Sequence, residues 1–532
     1  MDKILILDFG SQTTALIARR IRESGVYTEI VGVNIFNREK LREAKGIVLS
    51  GSPESVYETG LAPDRSVYDC GLPLLGICYG LQRMTQDNGG QVTAFPKREY
   101  GGVKVTLQVP ADTPSHVKTF LKAFGTDGSM FTAWMSHGDS LEKLAPGFDG
   151  YGISGTDFPA VVAHESKQWY GLQFHPEVTH TERGKEALKT FATEVCGCEK
   201  SWSMGSYLAE AKDSIRRRAG DSPVLLLISG GVDSMVTGAL LLDALDPEQV
   251  HLMYVDTGLM RKNETELVKR NLKKLSARHL HIVRCGDEFF DALAGLSAPE
   301  DKRKVIGDLF IKIQEREVAR LGLSDSYLLA QGTLYTDLVE SGKGVGDKAH
   351  LIKSHHNVGS PLVDAKRREG RLLEPLDKLY KDEVRELGRI LGLDEEVVGR
   401  HPFPGPGLAV RVLGEVTREK CDILREVDAI FIDELRKRRT ADGERSLYDD
   451  IWQAFAVLLP VRSVGVAGDA RKYGWVAALR AVSSADGMTA DVYPFPPKDL
   501  IEISTLITNG VNGIGRVTYD ISSKPPATIE WE

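Results

Sequence analysis

Cysteine is scarce in this chain: six thiols in 532 residues, at positions 70, 78, 196, 198, 285 and 421. So few, so scattered, they exclude a disulfide framework and fit a reducing compartment. Cys196-Gly-Cys198 has no second ligand pair, so it reads as two thiols closing a domain rather than as a metal site. Long apolar runs are missing too, none approaching the roughly 20 residues a membrane-crossing helix needs. Met1-Asp-Lys passes directly into Ile4-Leu-Ile-Leu7, an apolar stretch too short and too poorly preceded by basic residues for a secretory leader. Positive charge is in deficit, 67 Lys and Arg against 75 Asp and Glu for a net −8, which removes any broad electrostatic footprint for nucleic acid. The expectation is a cytoplasmic protein with no membrane and no nucleic-acid partner. What is present, 42% hydrophobic and 27% charged residues, is ordinary globular composition, in a chain long enough for three or four domains of about 150 residues.

The stretch richest in chemistry is Val224-Leu-Leu-Leu-Ile-Ser-Gly-Gly-Val-Asp-Ser234. A buried-strand run stops at Ser229-Gly230-Gly231 and a helix-compatible segment follows at once. A strand, tight turn and helix in that order aim backbone N–H groups and a helix N-terminus at one point, where phosphate oxygens are stabilised. Gly230 and Gly231 permit close approach, Ser229 and Ser234 offer hydroxyls, and Asp233 can hold Mg²⁺ against the phosphates. No Lys follows the glycines, so this is not the loop that grips a γ-phosphate.

The first 200 residues alternate strands and helices, which argues for a parallel α/β sheet with ligands at the carboxyl ends of its strands. Ile4–Leu7, Gly46–Ser50 and Pro73–Ile77 read as strands. Cys78 lies on a Gly-X-Cys-X-Gly strand-to-helix turn, where Gly76 and Gly80 relieve crowding and the helix N-terminus favours thiolate. Tyr170-Gly-Leu-Gln-Phe-His-Pro-Glu177 ends another strand with His175 and Glu177 two residues apart. Thiol, imidazole and carboxylate are the parts of an acyl-transfer triad.

These residues resemble two families. The Cys78, His175 and Glu177 set, with Trp134-Met-Ser-His-Gly-Asp139 and Thr156-Asp-Phe-Pro159, is similar to the class I glutamine amidotransferases, in their GMP-forming branch. The Ser229–Ser234 loop resembles the PP-loop ATP pyrophosphatases. The first resemblance implies that Cys78 attacks glutamine and releases ammonia, with backbone amides of Ser52 and Tyr79 as the oxyanion hole. Ser52 stands where that family has glycine, so its Cβ would tilt the peptide if a positive φ were required. The second implies that Ser229, Gly230, Gly231, Val232, Asp233, Ser234 and Val255 bind ATP, Val255 as a wall for the base, and that Asp256 is either a polar contact or a plain strand-end residue.

Further on, Lys302-Arg303-Lys304 places three cations near a helix start, which calls for an anion close by. Lys353 lies in a Gly-rich polar stretch that reads either as a lid bringing its charge to phosphates or as a solvated loop. His401-Pro-Phe-Pro-Gly-Pro-Gly407 reads as a hinge, and the segment Ser522–Glu532 reads as docked rather than frayed. With Ile451–Val466 and the Lys-Pro-Pro-Ala-Thr-Ile-Glu-Trp-Glu ending, the whole chain is similar to a family that aminates a purine nucleotide. That resemblance implies xanthosine 5'-monophosphate held by Arg303, Gln453, Asp469, Lys524 and Glu530, ATP and glutamine as co-substrates, Mg²⁺ as cofactor, and a homodimer formed by the last domain. The expected fold is two parallel-sheet α/β domains, 1–200 (glutamine amidotransferase) and 201–400 (adenine-nucleotide alpha-hydrolase-like), followed by a small α+β domain, 401–532. Met235, Thr257 and Thr336 depart from the family's usual residues. A different amide acceptor, or tRNA-base thiolation, is the alternative for such a loop.

Overall fold

Ile4, Leu5, Ile6 and Leu7 are fully buried and make the centre of β1 (Lys3–Asp8), as an unbroken apolar run should when both faces of a parallel sheet are covered. The computed structural model describes residues 2–532 apart from 58–60, 156, 324–326, 336, 338–360, 468–469 and 485–488, and all side chains in them apart from 94–99, 361–362, 467 and 470. The chain separates into two compact units, one built on the first 207 residues and the other beginning at Leu208.

In the first unit β1 pairs in parallel with β2 (Tyr27–Gly32) and β3 (Ala44–Leu49), and β3 pairs in parallel with β4 (Leu74–Ile77). Helix α1 (Thr14–Arg22) connects β1 to β2 and buries Ile17, Ala18 and Ile21. Helix α2 (Tyr79–Asp87) leaves β4 directly through Cys78. The sheet then acquires an antiparallel extension from β5 (Gln91–Leu107), β6 (Met130–Lys143), β7 (Phe148–Ser154) and β8 (Pro159–His164), and β9 (Trp169–Leu172) returns parallel to β4. The strand order is β2-β1-β3-β4-β9-β8-β7-β5-β6. The expected parallel α/β sheet is present, and the antiparallel strands add a wall along β9 at its carboxyl end.

The second unit holds the wholly parallel sheet β12-β11-β10-β13-β14, made of β10 (Val224–Ile228), β11 (Val250–Asp256), β12 (His279–Arg284), β13 (Leu328–Ala330) and β14 (Leu372–Leu373). Its helices include α3 (Val232–Ala244), α4 (Glu264–Lys274), α5 (Pro299–Arg320) and α6 (Lys381–Ile390). Beyond them α7 (Arg418–Lys437) packs on the long antiparallel pair β15 (Gln453–Ala467) and β16 (Ala470–Ser483), which β17 (Asp491–Val492) and, after helix α8 (Pro497–Gly510), β18 (Ile514–Tyr519) extend. This is the α+β arrangement the sequence suggested for the last segment. The two sheets of this unit share one apolar core, in which Leu225 and Met253 join Phe431, Ala454 and Leu479. The Pro/Gly segment 401–407 is tied into that core: Gly407 has φ 65 and a Cβ on it would lie 2.4 Å from the Leu259 carbonyl oxygen, while the Leu408 N–H donates to that oxygen at 2.7 Å.

Candidate functional site

Cys78 occupies a sharp elbow with φ 50, between the end of β4 and the first residue of α2. A non-glycine residue there is strained, and such strain at a strand-to-helix turn exposes a nucleophile. The flanking glycines are obligatory: a Cβ on Gly80 would lie 2.2 Å from the Leu49 carbonyl oxygen, and one on Gly76 2.7 Å from the Leu81 amide. The Cys78 N–H donates to the Leu172 carbonyl at 2.7 Å, which pins the elbow to β9. Past β9 the chain delivers His175, whose Nδ1 lies 2.7 Å from Glu177 Oε1 and whose ring feels the charge of the Cys78 sulfur. Antiparallel β6 lines the same place: the His175 N–H donates to the Trp134 carbonyl, Cys78 Sγ lies 3.9 Å from the Ser136 carbonyl, and Gln82 Nε2 donates to the Asp139 carbonyl at 3.1 Å. Gln173 Nε2 adds a weak contact to Cys78 Sγ at 4.0 Å.

The electrostatics follow from burial. Burial alone would pull the His175 pKa down, but the Glu177 carboxylate, the wholly buried member of the group, and the Cys78 sulfur outweigh it and raise the pKa to about 11. An imidazolium held between carboxylate and sulfur can give its proton to a departing amine, and the neutral imidazole so formed can take one from an attacking water. Ser52 follows β3 and Gly51, and a Cβ on Gly51 would lie 3.3 Å from His175 Cε1. Ser52 has no positive φ, so its side chain imposes no backbone strain, and its Oγ is turned to accept the Glu54 N–H at 3.2 Å. Cys196 and Cys198 are buried thiols, the first pushed well up in pKa by burial and the second to about 11, and a Cβ on Gly46 would lie 2.3 Å from Cys196 Sγ. They pack the first unit's sheet, and among the described residues no group of three or more His, Cys, Asp or Glu side chains is arranged to hold a metal ion.

In the second unit Ser229 to Ser234 joins β10 to α3. Gly230 has φ 79, and a Cβ there would lie 2.7 Å from Val268 Cγ2 and 2.9 Å from Glu264 Oε1. The two serines brace the turn, with Ser229 Oγ 3.1 Å from Ser234 Oγ and accepting the Gly231 N–H, while Ser234 Oγ accepts the Ser229 N–H. Asp233 meets Lys381, at the start of α6, through both carboxylate oxygens at 2.6 Å. Arg400 donates to the Gly230 carbonyl at 3.0 Å and forms a two-pronged ion pair with Glu264. Lys381 and Arg400 are the residues that reading the sequence missed, since neither belongs to the loop's local pattern. Met235, one of the departures, is buried and lines a small cavity behind the loop with Gly230, Val268 and Arg400. Val255 is likewise buried, so it presents backbone rather than side chain at the end of β11. Asp256 accepts from the Gly258 N–H and the Thr265 hydroxyl, and Thr257 Oγ1 accepts the Leu259 N–H; both brace the turn off β11.

The chain's end closes over a charged cluster in the same unit. Lys302, with no exposed surface, donates to the Ala409 and Val412 carbonyls and to the Glu532 side chain, and Arg303 Nη2 donates to the Glu532 backbone oxygen at 2.6 Å. The anion beside Lys302 and Arg303 is therefore Glu532, and Lys304 is exposed. Glu530 receives Arg411 through both oxygens at 2.8 and 3.1 Å and Gln453 Nε2 at 2.8 Å. Buried Arg480 donates to the Ser522, Thr528 and Ile529 carbonyls and fixes the tail's path. Lys524 is held beside Ala490 by two backbone hydrogen bonds. Arg303, Gln453 and Glu530 are thus gathered by the tail, whereas Asp469, Lys353 and Thr336 lie outside the described residues. Arg411 and Arg480 carried no signal in the sequence beyond being charges inside apolar runs.

Two family models match the chain, glutamine amidotransferase class-I over residues 5–195 and the GMP synthase C terminal domain over residues 442–531. The chain is similar to the glutamine-hydrolysing GMP synthases of Brucella suis and Brucella ovis, 48% identical over 534 aligned residues that cover 100% of this chain and 99% of each relative. It is equally similar, at 48% identity, to that of Idiomarina loihiensis, of which 98% is covered. With the thiol, imidazole and carboxylate assembled in one unit and the glycine loop and tail cluster in the other, this similarity along its full length shows that the chain belongs to the glutamine-hydrolysing GMP synthase family.

Proposed function

We propose that the protein aminates xanthosine 5'-monophosphate to GMP, with ATP as the activating and glutamine as the nitrogen-donating co-substrate. The observation that carries this reading is the pairing, in one chain, of a strained elbow thiol and a carboxylate-held imidazole with a phosphate-shaped loop whose acid faces a lysine. Cys78 attacks the side-chain carbonyl carbon of glutamine, the N–H donors of Ser52 and Tyr79 stabilise the oxyanion, and His175 protonates the amine as the C–N bond breaks. Water, deprotonated by His175, then cleaves the thioester to glutamate. In the second unit the C2 oxygen of the purine attacks the α-phosphorus of ATP, pyrophosphate leaves into the Ser229–Ser234 loop, and ammonia displaces AMP. Adenylation is needed because an amide-like oxygen is a poor leaving group. Val232 and Ser234 complete the loop, and the Val255 backbone borders the adenine.

Asp233 offers hard oxygen donors that suit Mg²⁺, and with phosphate oxygens it would hold the ion, which when bound neutralises charge on the leaving pyrophosphate. Lys381, released from Asp233, would then turn to the same phosphates. Arg303 and Lys524 suit the nucleotide phosphate, and Gln453, Glu530 and Asp469 suit ribose and purine. Lys353 serves as a lid over the phosphates. We place the enzyme in the cytoplasm, consistent with six free thiols, and among the described residues no helix is long and apolar enough to cross a membrane. It acts as a homodimer through the β15 and β16 pair, where Val464, Val466 and Tyr473 are 49%, 81% and 61% exposed, an apolar patch that calls for a cover. Val466→Glu with Tyr473→Glu is expected to halve the mass measured by light scattering, and an unchanged dimer mass rejects this surface.

The test of the reaction is one assay of AMP and GMP formation from xanthosine monophosphate and Mg-ATP with either nitrogen source. Cys78→Ala should abolish the glutamine-dependent reaction and leave the ammonium-dependent one intact, and loss of both would contradict the division of labour.

A further inference from the structure

The peptide that joins Gly51 to Ser52 is tied down from behind. Ser50, fully buried at the end of β3, accepts the Phe9 N–H on its Oγ at 3.1 Å and has a single hydrogen to give. The Gly51 carbonyl oxygen lies 2.9 Å away and Asp8 Oδ1 3.4 Å away. Asp8 Oδ1 already accepts the Thr14 hydroxyl at 2.7 Å and the Gly10 N–H at 3.0 Å, so the shorter contact to Gly51 is the one the hydroxyl fills. A peptide is planar and trans, with C=O and N–H on opposite sides. Fixing the Gly51 carbonyl toward Ser50 therefore fixes the direction of the Ser52 N–H. Gly51 itself abuts the imidazole, as the 3.3 Å approach of its hypothetical Cβ to His175 Cε1 requires.

We propose that Ser50 is a positioning residue for glutamine hydrolysis: its hydroxyl holds the Gly51–Ser52 peptide so that the Ser52 N–H is preset for the oxyanion. The inference rests on the reading of Cys78 as nucleophile and of the Ser52 N–H as a donor to the tetrahedral intermediate. An untethered peptide would have to rotate into place during each turnover, and that reorganisation is what a preset donor avoids. Nothing in the role touches the sulfur. Ser50 should therefore matter after glutamine binds and before the thioester forms, and not in binding, in thiolate formation or in the ATP-dependent half of the reaction.

Ser50→Ala tests this. The expected result is a glutamine-dependent kcat lowered by about 10- to 100-fold, with KM for glutamine and the ammonium-dependent rate changed by less than about 2-fold. The rate at which iodoacetamide alkylates Cys78 should stay at its wild-type value. Inhibition by a glutamine-like aldehyde, whose adduct with the thiol carries an oxyanion, should weaken in step with kcat, a response that a general structural defect would not produce. Should the alanine variant be too unstable to assay, Ser50→Cys, of similar volume and a weaker donor, takes its place with the same expected loss. A wild-type kcat, or a loss shared equally by alkylation and the ammonium reaction, overturns the proposal. Cys78→Ala run in parallel separates the two levels: retained glutamine turnover in that variant sinks the reading of the thiol site itself, whereas full activity in Ser50→Ala alone sinks only the anchor.

Discussion

Glu177 is fully buried, and its Oε2 has no hydrogen-bond partner while Oε1 takes the His175 ring. A buried carboxylate in that state is tolerable only beside a cation, which is why the imidazole is held protonated. Glu177→Gln keeps the shape and removes the charge, so the His175 pKa should fall and the glutamine-dependent kcat should drop by on the order of 10²-fold, with the ammonium-dependent rate preserved in the same assay. The Asp233 and Lys381 pair makes the opposite division. Lys381→Ala removes the charge poised at the loop and should slow AMP and pyrophosphate release by at least about 10-fold with both nitrogen sources, as read by coupled pyrophosphate detection. The contrast also explains what could be read from the chain. Cys78, His175 and Glu177 are legible because each sits in a short local pattern, a Gly-X-Cys-X-Gly turn and two residues of one strand exit. Lys381 is 148 residues from Asp233, and only the packing of α6 on α3 makes them neighbours.

Among elements, α5 and the terminal segment are tied into one unit. The helix begins at Pro299, so Lys302 closes its first turn and Arg303 opens the second, next to the end where cations oppose the dipole; Glu532 supplies the compensating charge. Glu532→Ala leaves Lys302 buried with two carbonyl partners and no counter-charge. Removing one partner of a buried pair costs about 3 to 5 kcal/mol, and the carbonyls place the expected loss at the low end. Denaturant titration should show it, together with a higher KM for xanthosine monophosphate as Arg303 and the tail loosen. Lys302→Met combined with Glu532→Gln removes both charges and should be milder than Glu532→Ala, which distinguishes a stranded charge from lost packing. The anion beside the three cations was foreseeable from the sequence as a requirement, but its identity was not, because nothing local says that residue 532 returns to residue 302. The antiparallel strand β6 was equally illegible: its burial alternates, and a half-exposed strand lacks the continuous apolar run that announced β1, β4 and β10.

For the molecule as a whole the histidines set the response to acid. His401 stands where the two sheets of the second unit share a core. Its Nε2–H donates to the Tyr448 carbonyl at 2.8 Å, its Nδ1 accepts the Ala454 N–H at 3.1 Å, and its ring lies flat on Tyr448 at 3.9 Å. Both nitrogens are committed, and only the neutral ring satisfies both. Burial, helped by the charge of Arg261, lowers its pKa to about 4. A depressed histidine contributes stability that is whole above its unfolded pKa of about 6.5 and is lost as pH falls toward 4, because in that window the unfolded chain binds a proton that the folded one refuses. At 1.36 kcal/mol per pKa unit, the shift amounts to about 3 kcal/mol at most. His251, lowered to about 4 by burial and by its neighbours His279 and His281, acts in the same direction and is partly exposed, so its share is smaller. His175 in the first unit runs the other way, its stabilisation complete below about 6.5 and lost as pH rises toward 11. The second unit should therefore melt at steadily lower temperature between pH 6.5 and 4. His401→Gln, in which the side-chain amide can both donate and accept without titrating, should flatten that slope while lowering the plateau, and scanning calorimetry across the interval reads both. An unchanged slope in the variant would show that the ring at 401 is not what acid attacks.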